Sequence, residues 1–314
     1  MASQSLSALL TSLVDYAGLF PPAGLPMDKA VADYARHKAD EHRYGISRFV
    51  CPMKRLKEYD AAISKFLTAR PPEPNEAPPD AWRVSVLIDG NLEQELEAIE
   101  RFNQQHEADD SRHHKHAHTA VIDTLEIKIQ TPDIIDDAVE VLPDELFPYF
   151  ELPVDGDFRG FGAALAGTGF GAKLRTGGVK PELIPSPEII ANFLVAMNQS
   201  EVPIKFTAGL HHPLRGSFPL TYEPSAEKAV MHGFVNVFLA AAMLRECRID
   251  RATVLAILSE TSADAFKFDD AGASYKGKPI TTAQIQAARE NFAICFGSCS
   301  FDDPIRDLKQ LGWL

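Results

Sequence analysis

Gly171-Ala172-Lys173-Leu174-Arg175-Thr176-Gly177-Gly178 and Pro203-Ile204-Lys205-Phe206-Thr207-Ala208-Gly209-Leu210-His211-His212 are the two stretches on which the reading of this chain turns. Each is an apolar run of the length of a buried parallel strand, carries one lysine, and ends in a glycine turn. An α/β barrel keeps its working residues at the carboxyl ends of its strands. A lysine delivered there becomes a nucleophile when desolvation or a neighbouring cation lowers its pKa.

Outward from these two runs, short strands alternate with amphipathic helices, the pattern of βαβ units. Strands are predicted at Val14–Phe20, Ile46–Cys51, Trp82–Ile88, Ala120–Ile129, Pro148–Pro153, Gly171–Arg175, Ile204–Leu210 and Phe292–Phe296. Helices are predicted at Met27–Glu41, Leu56–Leu67, Leu92–Gln105, Pro132–Val141, Phe158–Leu165 and Pro187–Met197, after an opening helix near Ser3–Leu13. Eight strands with helices between them make an α/β fold, a (β/α)8 barrel spanning residues 1–314 as one domain. The Pro-rich stretch Ala69–Pro79 reads as an exposed connector. The long span 217–291 reads as an inserted segment, with helices at Ala226–Arg245, Arg251–Leu258 and Thr282–Asn291 and a hairpin of Phe266–Asp269 with Ser274–Lys276.

Composition narrows the function classes. A formal net charge of −13 argues against nucleic acid as a partner, because phosphate backbones are held by clustered Lys and Arg. No apolar run reaches the roughly 18 residues of a membrane helix; the nearest, Phe234–Leu244, is interrupted by Asn236 and reads as a buried helix. The Ser-rich amino terminus lacks the regions of a signal peptide, so Cys51, Cys247, Cys295 and Cys299 are expected as reduced thiols of a cytoplasmic protein.

Residues two apart share a strand face. Glu126 therefore goes with Lys128 and Gln130, Lys173 with Arg175, and Lys205 with Thr207 and Gly209. Charged side chains are rarely buried without partners, so Glu126, Lys128, Glu151, Lys173, Arg175 and Lys205 are expected to converge on one polar site.

The order of these motifs resembles the deoxyribose-phosphate aldolase branch of the class I aldolases, which are TIM barrels. Val14-Asp15-Tyr16-Ala17-Gly18-Leu19-Phe20-Pro21 is similar to the family's Asp-His-Thr first strand, and Phe49-Val50-Cys51-Pro52 to its Cys-Val-Asn-Pro strand. Glu126-Ile127-Lys128-Ile129-Gln130 stands where the family has Asp-x-Val-Ile-Asn, and Phe150-Glu151 resembles its fifth-strand Glu. Ala172-Lys173-Leu174-Arg175-Thr176-Gly177 resembles the strand bearing the Schiff-base lysine, and Ile204–Leu210 the strand with the second lysine. Phe296-Gly297-Ser298-Cys299-Ser300 resembles the Gly-x-Ser-Ser turn that cradles phosphate. The resemblance implies that Lys173 forms the imine, that Lys205 lowers its pKa by like-charge repulsion, and that Glu126 relays protons, with Glu151 and Asp15 in the catalytic set. It implies no cofactor. Arg175, the longer Glu126, the extra cation Lys128 and the extension His211-His212-Pro213-Leu214-Arg215 depart from the family pattern.

Lys128, Arg175, Thr176, Gly177, Thr207, Gly209, His211, His212, Gly297, Ser298 and Ser300 are the expected substrate- or anion-binding set, by strand-end position or as amide nests. His211 and His212 suit acid, base or anion-donor roles. The cluster His113, His114, His116 and His118 lacks the spacing of zinc sites and reads as a surface loop, and Cys295 with Cys299 lacks a second pair, so no metal is expected. The resulting expectation is a Schiff-base lyase acting on a small carbonyl or sugar substrate, with phosphate the anion that the resemblance implies. Two alternatives stay open: an acid–base phosphosugar isomerase or transferase, and a non-catalytic anion- or sugar-binding barrel. A homo-oligomer is compatible with the chain.

Overall fold

All eight predicted strands are present and close on themselves. The computed structural model describes residues 2–67, 81–108 and 117–314. Its barrel consists of β1 (Val14–Tyr16), β2 (Ile46–Pro52), β3 (Trp82–Leu87), β4 (Ala120–Lys128), β5 (Phe147–Glu151), β6 (Gly171–Arg175), β7 (Ile204–Thr207) and β8 (Ala293–Ser298). Every neighbouring pair is parallel, and β8 returns to β1 with Val14 opposite Phe296. The chain is therefore a (β/α)8 barrel.

The strands read as apolar runs because they are covered on both faces, by the helices outside and by packed side chains within. Phe49, Val84, Val86, Leu125, Phe150, Leu174, Phe206 and Phe296 are all fully or nearly fully buried. Several helices begin where a short polar side chain accepts the first free backbone N–H groups. Asn91 caps Leu92–Gln105, Asp157 caps Phe158–Leu165, Asp250 caps Arg251–Ser259, and Thr281 with Gln284 forms a reciprocal box before Thr282–Asn291.

Two strand ends differ from expectation by three residues or more, the others by two at most. β1 stops at Tyr16 rather than Phe20, because the Ala17 N–H bonds to the Ser298 carbonyl and the chain then turns, with Phe20 N–H bonding to Ala17. β7 stops at Thr207 rather than Leu210, because Ala208 and Gly209 take φ values of 61° and 80°. The second is a close-approach point: a Cβ on Gly209 would sit 2.8 Å from the Gly177 Cα, so glycine is needed where the β6 and β7 loops meet.

The segment after β7 also departs from its reading. Residues expected to open a helix at Ala226 instead form the strand Lys228–Met231, paired antiparallel with Gly216–Pro219, and the helix starts at Phe234 and runs to Cys247. Helical propensity is a weak prior that pairing and packing override, and here Phe218 of the hairpin stacks on His212 with ring centroids 3.5 Å apart. Helix Phe234–Cys247 is buried all round from Phe234 to Leu244. On its barrel side Phe238 meets Phe206 and Phe296; outside it lie helix Thr282–Asn291 and the three-stranded sheet Phe266–Phe268, Gly272–Tyr275, Lys278–Thr281. The expected hairpin thus gains a third strand.

The stretch Ala69–Pro79 and His113, His114 and His116 lie outside the described residues; His118 falls in the two-residue strand Ala117–His118, paired with Glu107–Ala108. Among the described residues no helix is long and apolar enough to cross a membrane.

Arg289 fastens the bottom of the barrel. Its buried guanidinium donates to the carbonyls of Leu9 and Thr11 at 2.9 and 3.0 Å, and to those of Ala293 and Ile294 at the start of β8, and it lies 5.1 Å from the Phe238 ring. Burial pulls its pKa down to about 10. Hydrogen bonds from a charged donor contribute about 1.5–3 kcal/mol each, and orphaned carbonyls add a penalty. Arg289→Met is expected to destabilise the fold by at least about 3 kcal/mol in denaturant unfolding, with Arg289→Lys intermediate, because the fork geometry is lost. A loss below about 1 kcal/mol for the Met variant would show that water replaces the clamp.

Candidate active site

Lys173 and Lys205 are direct cross-strand neighbours on β6 and β7, and both point into the barrel, 2% and 0% exposed. Like charges opposite one another destabilise a sheet, and two buried ammonium groups do so more. Glu126 on β4 resolves the conflict. One of its oxygens, Oε2, lies 2.5 Å from Lys173 Nζ, and the other, Oε1, lies 2.7 Å from Lys205 Nζ. Ser85 on β3, the lone polar residue between Val84 and Val86, donates its hydroxyl to Glu126 Oε1 at 2.7 Å.

The pairing extends in both directions. Below, Lys205 Nζ reaches Asp15 Oδ2 on β1 at 2.5 Å; Asp15 also accepts the Arg48 N–H at 3.0 Å and the Cys295 thiol at 3.2 Å. Above, Lys173 Nζ lies 2.6 Å from Glu151 Oε2, and Glu151 Oε1 lies 3.7 Å from Arg175 Nε at the end of β6. The result is an alternating series, Asp15, Lys205, Glu126, Lys173, Glu151, Arg175, in which three carboxylates meet three cations. The five residues expected as catalytic are therefore in one contiguous network.

Burial alone would raise the carboxyl pKa values, but the cations outweigh it. Asp15 is lowered by Lys205 and Arg48, Glu126 by Lys173 and Lys205, and Glu151 by Lys173 and Arg175. Lys205, which burial would lower, is held well above the ordinary lysine value by Asp15 and Glu126. The expected role of Lys205, repelling a proton from Lys173, is thus altered: Glu126 stands between the two ammonium groups and both lysines serve it.

Only part of the network faces open space. A cavity of about 220 Å³ at the barrel mouth is lined by Glu126, Lys173, Arg175, Thr207, His211 and Gly297, with Val179 and Leu183 among its apolar wall. Asp15 and Lys205 lie beneath and do not line it. They act through Glu126.

The remaining expected binding residues divide. Lys128 is exposed at the end of β4, outside this cavity. Thr176 is buried and gives its hydroxyl to the Ala208 carbonyl at 2.5 Å, and Gly177 is packed against Gly209, so both hold the loops rather than a ligand. His212 is tied to Asp307 at 2.5 Å and stacked on Phe218. The Ser298 hydroxyl donates to the Ser300 carbonyl at 2.7 Å, and Ser300 Oγ accepts the Asp303 N–H. The helix after this turn, Asp302–Gln310, opens with Asp302 and Asp303. Carboxylates thus occupy the helix end that would otherwise favour an anion.

Ser85 and Cys295 complete the buried network without having been singled out for it. Ser85 carried a visible signal, an isolated hydroxyl in an apolar strand; Cys295 carried none, since its partner Asp15 is distant in sequence. Cys299 lines the cavity beside His211, its Sγ 4.0 Å from Nε2. The two do not form an activated thiolate pair: burial pushes Cys299 up to about 11 and pulls His211 down to about 4, so both are neutral near pH 7. Among the described residues no three His, Cys, Asp or Glu side chains are grouped to hold a metal.

No protein-family model matches the chain, and no curated protein matches it.

Two measurements test the network. Since the folded carboxyl pKa values lie below the unfolded ones, near 4, their stabilisation is present above that value and is lost as pH falls through the folded values. Lys205 has the opposite sign: its contribution is present below about pH 10 and is lost as pH rises through its raised folded value. Stability measured by urea unfolding should hold from about pH 5 to 9 and fall steeply below about pH 4; Glu126→Gln should flatten the acid slope, and an unchanged slope would remove Glu126 from the account. Lys205→Met leaves buried Asp15 without its ion-pair partner and Glu126 with Lys173 alone, and should cost about 3–5 kcal/mol; a cost below about 1 kcal/mol would mean that Asp15 is hydrated or protonated instead.

Proposed function

We propose that this barrel is a lyase of the Schiff-base type, making or breaking a carbon–carbon bond in a small carbonyl compound, with Lys173 as the nucleophile. The observation that carries this reading is the placement of Lys173: a buried lysine that lines the cavity and lies between two carboxylates, at 2.5 and 2.6 Å.

Those carboxylates supply what the chemistry requires. An ammonium cannot attack a carbonyl until it gives up a proton, and Glu126 and Glu151 are in contact to take it. The free amine adds to the carbonyl carbon, the alkoxide oxygen gains one proton as the adduct nitrogen loses one and a second from the carboxyl group that took the ammonium proton, and water departs. An iminium forms in place of the ammonium. Its positive charge occupies the same position, so the alternating series stays neutral. The electron-withdrawing C=N⁺ then takes up, as an enamine, the electron pair of the bond between the α and β carbons as the β-hydroxyl gives its proton to a carboxylate. A site already complementary to a cation between two carboxylates is complementary to this intermediate. The family resemblance of the Lys173 and Lys205 strands points the same way. Arg175, half-exposed at the rim, is placed to attract an acidic or electron-rich substrate.

Incubation with small aldehydes and ketones in the presence of borohydride should give a stable mass adduct on Lys173, absent in Lys173→Ala. Glu151→Gln should slow its formation by about 10²-fold or more, the usual worth of positioned acid–base catalysis. Protein shown to be folded that forms no adduct with any such compound, yet loses turnover in Glu151→Gln, would instead establish acid–base isomerisation by the same carboxylates.

A further inference from the structure

The barrel mouth opens into two chambers. Beside the cavity that contains Lys173 lies a second of about 200 Å³, bordered by residues of the hairpin region such as Leu220, Tyr222 and Met231. The two share Pro21, Gly178, Ala208 and His211. His211 therefore stands at the doorway.

The second chamber offers a ligand no free charge. Asp303 and Arg306 line it, but they bind one another at 2.7 Å, and Tyr222 donates its hydroxyl to the second Asp303 oxygen at 2.7 Å. His212 is held by Asp307. Much of the remaining wall is apolar, with Pro22, Pro219, Leu220 and Met231.

His211 is the exception to this pairing. It is more than nine-tenths buried, and its Nδ1 has no hydrogen-bond partner among the described residues. The Cys299 sulfur, 4.0 Å away, addresses Nε2 and not Nδ1; with the thiol as donor to Nε2 the ring proton lies on Nδ1, the tautomer on which the proposal is built. Asp303 alone would favour a charged ring; burial and His212 oppose it and prevail. A buried N–H without an acceptor is costly, and a ligand oxygen removes that cost.

We propose that His211 is a specificity residue whose uncharged Nδ1–H binds a hydroxyl or carbonyl oxygen of a substrate that extends from the Lys173 chamber into the second one. The site then selects an uncharged, oxygenated tail over a phosphorylated one, because Arg306, the cation that lines this chamber, is already engaged by Asp303 and Asp307. This rests on the Schiff-base reading only for which end of the substrate faces Lys173.

The test compares 5-hydroxy-2-pentanone, 2-pentanone and inorganic phosphate on the intact protein, with affinity and the His211 ring ¹⁵N signals read by NMR and adducts read separately by borohydride trapping. The hydroxyketone should shift the His211 Nδ1 signal and bind about five- to tenfold more tightly than the plain ketone, the worth of one hydrogen bond. That preference should vanish in His211→Leu and persist in His211→Asn, whose amide N–H replaces Nδ1–H. An equal preference in wild type and His211→Leu, no response of the ring to either ketone, or tighter binding of phosphate would each overturn the proposal. An adduct on Lys173 with a silent His211 would sink this inference and leave the lyase reading standing; a His211 response without an adduct would do the reverse.

Discussion

The carboxylate of Glu126 between Lys173 and Lys205 is the contact on which the barrel interior depends. Two cations on adjacent strands, in register and out of water, are tolerable only with an anion between them. Glu126 cannot be buried alone either, since an isolated carboxylate in an apolar medium is far more costly than the contacts it makes. Each member of the series is thus required by its neighbours, and Ser85 and Cys295 fill hydrogen-bonding positions that the ions leave open. The network costs desolvation that a hydrophobic plug would avoid. A fold that retains it so close to an open cavity is built around something other than stability.

The same alternation sets a division of labour by depth. Asp15 and Lys205 lie beneath the cavity and fix the position and ionisation of Glu126, whereas Lys173 and Glu126 reach the open space and Arg175 stands at its rim. Lys173 is in contact with two carboxylates, and in the proposed reaction an iminium would put its positive charge in the same place. Such a reaction would ask little reorganisation of the groups below it, the condition for electrostatic preorganisation.

The rim is built from loops that use their polar groups on one another. Thr176 bonds to Ala208, Ser298 to Ser300, His212 to Asp307, and Arg306 to Asp303. Against this background of satisfied groups, the half-exposed Arg175, loosely paired with Glu151, and the Nδ1 of His211, without a hydrogen-bond partner among the described residues, stand out. The hairpin Gly216–Pro219 with Lys228–Met231 adds a second chamber to a barrel that would otherwise present a single shallow mouth.

The barrel and its central residues were legible in the chain itself. Strand periodicity, glycine turns and charged residues within apolar runs are local signals, and burial makes them strict: a charge in a covered strand must have a partner, so Glu126, Glu151, Lys173, Arg175 and Lys205 met. Lys128, expected with them, stands exposed at its strand end, and Asp15 was named only by the family resemblance. What local signals cannot carry is the choice of partner across the barrel. That Glu126 separates the lysines, that Ser85 and Cys295 join the network, and that Ser298, Ser300 and Thr176 turn inward on their own loops follow from strand register and loop closure. Lys228–Met231 is strand because it pairs with Gly216–Pro219, whose Phe218 stacks on His212, contacts between segments that no propensity encodes. The sequence by itself determined the barrel and which charges must be buried in it, because burying a charge has a fixed cost; only the tertiary structure decided which charge answers which, and that His211 Nδ1 has no partner among the described residues, because pairing energies depend on distances that exist only once the strands have closed.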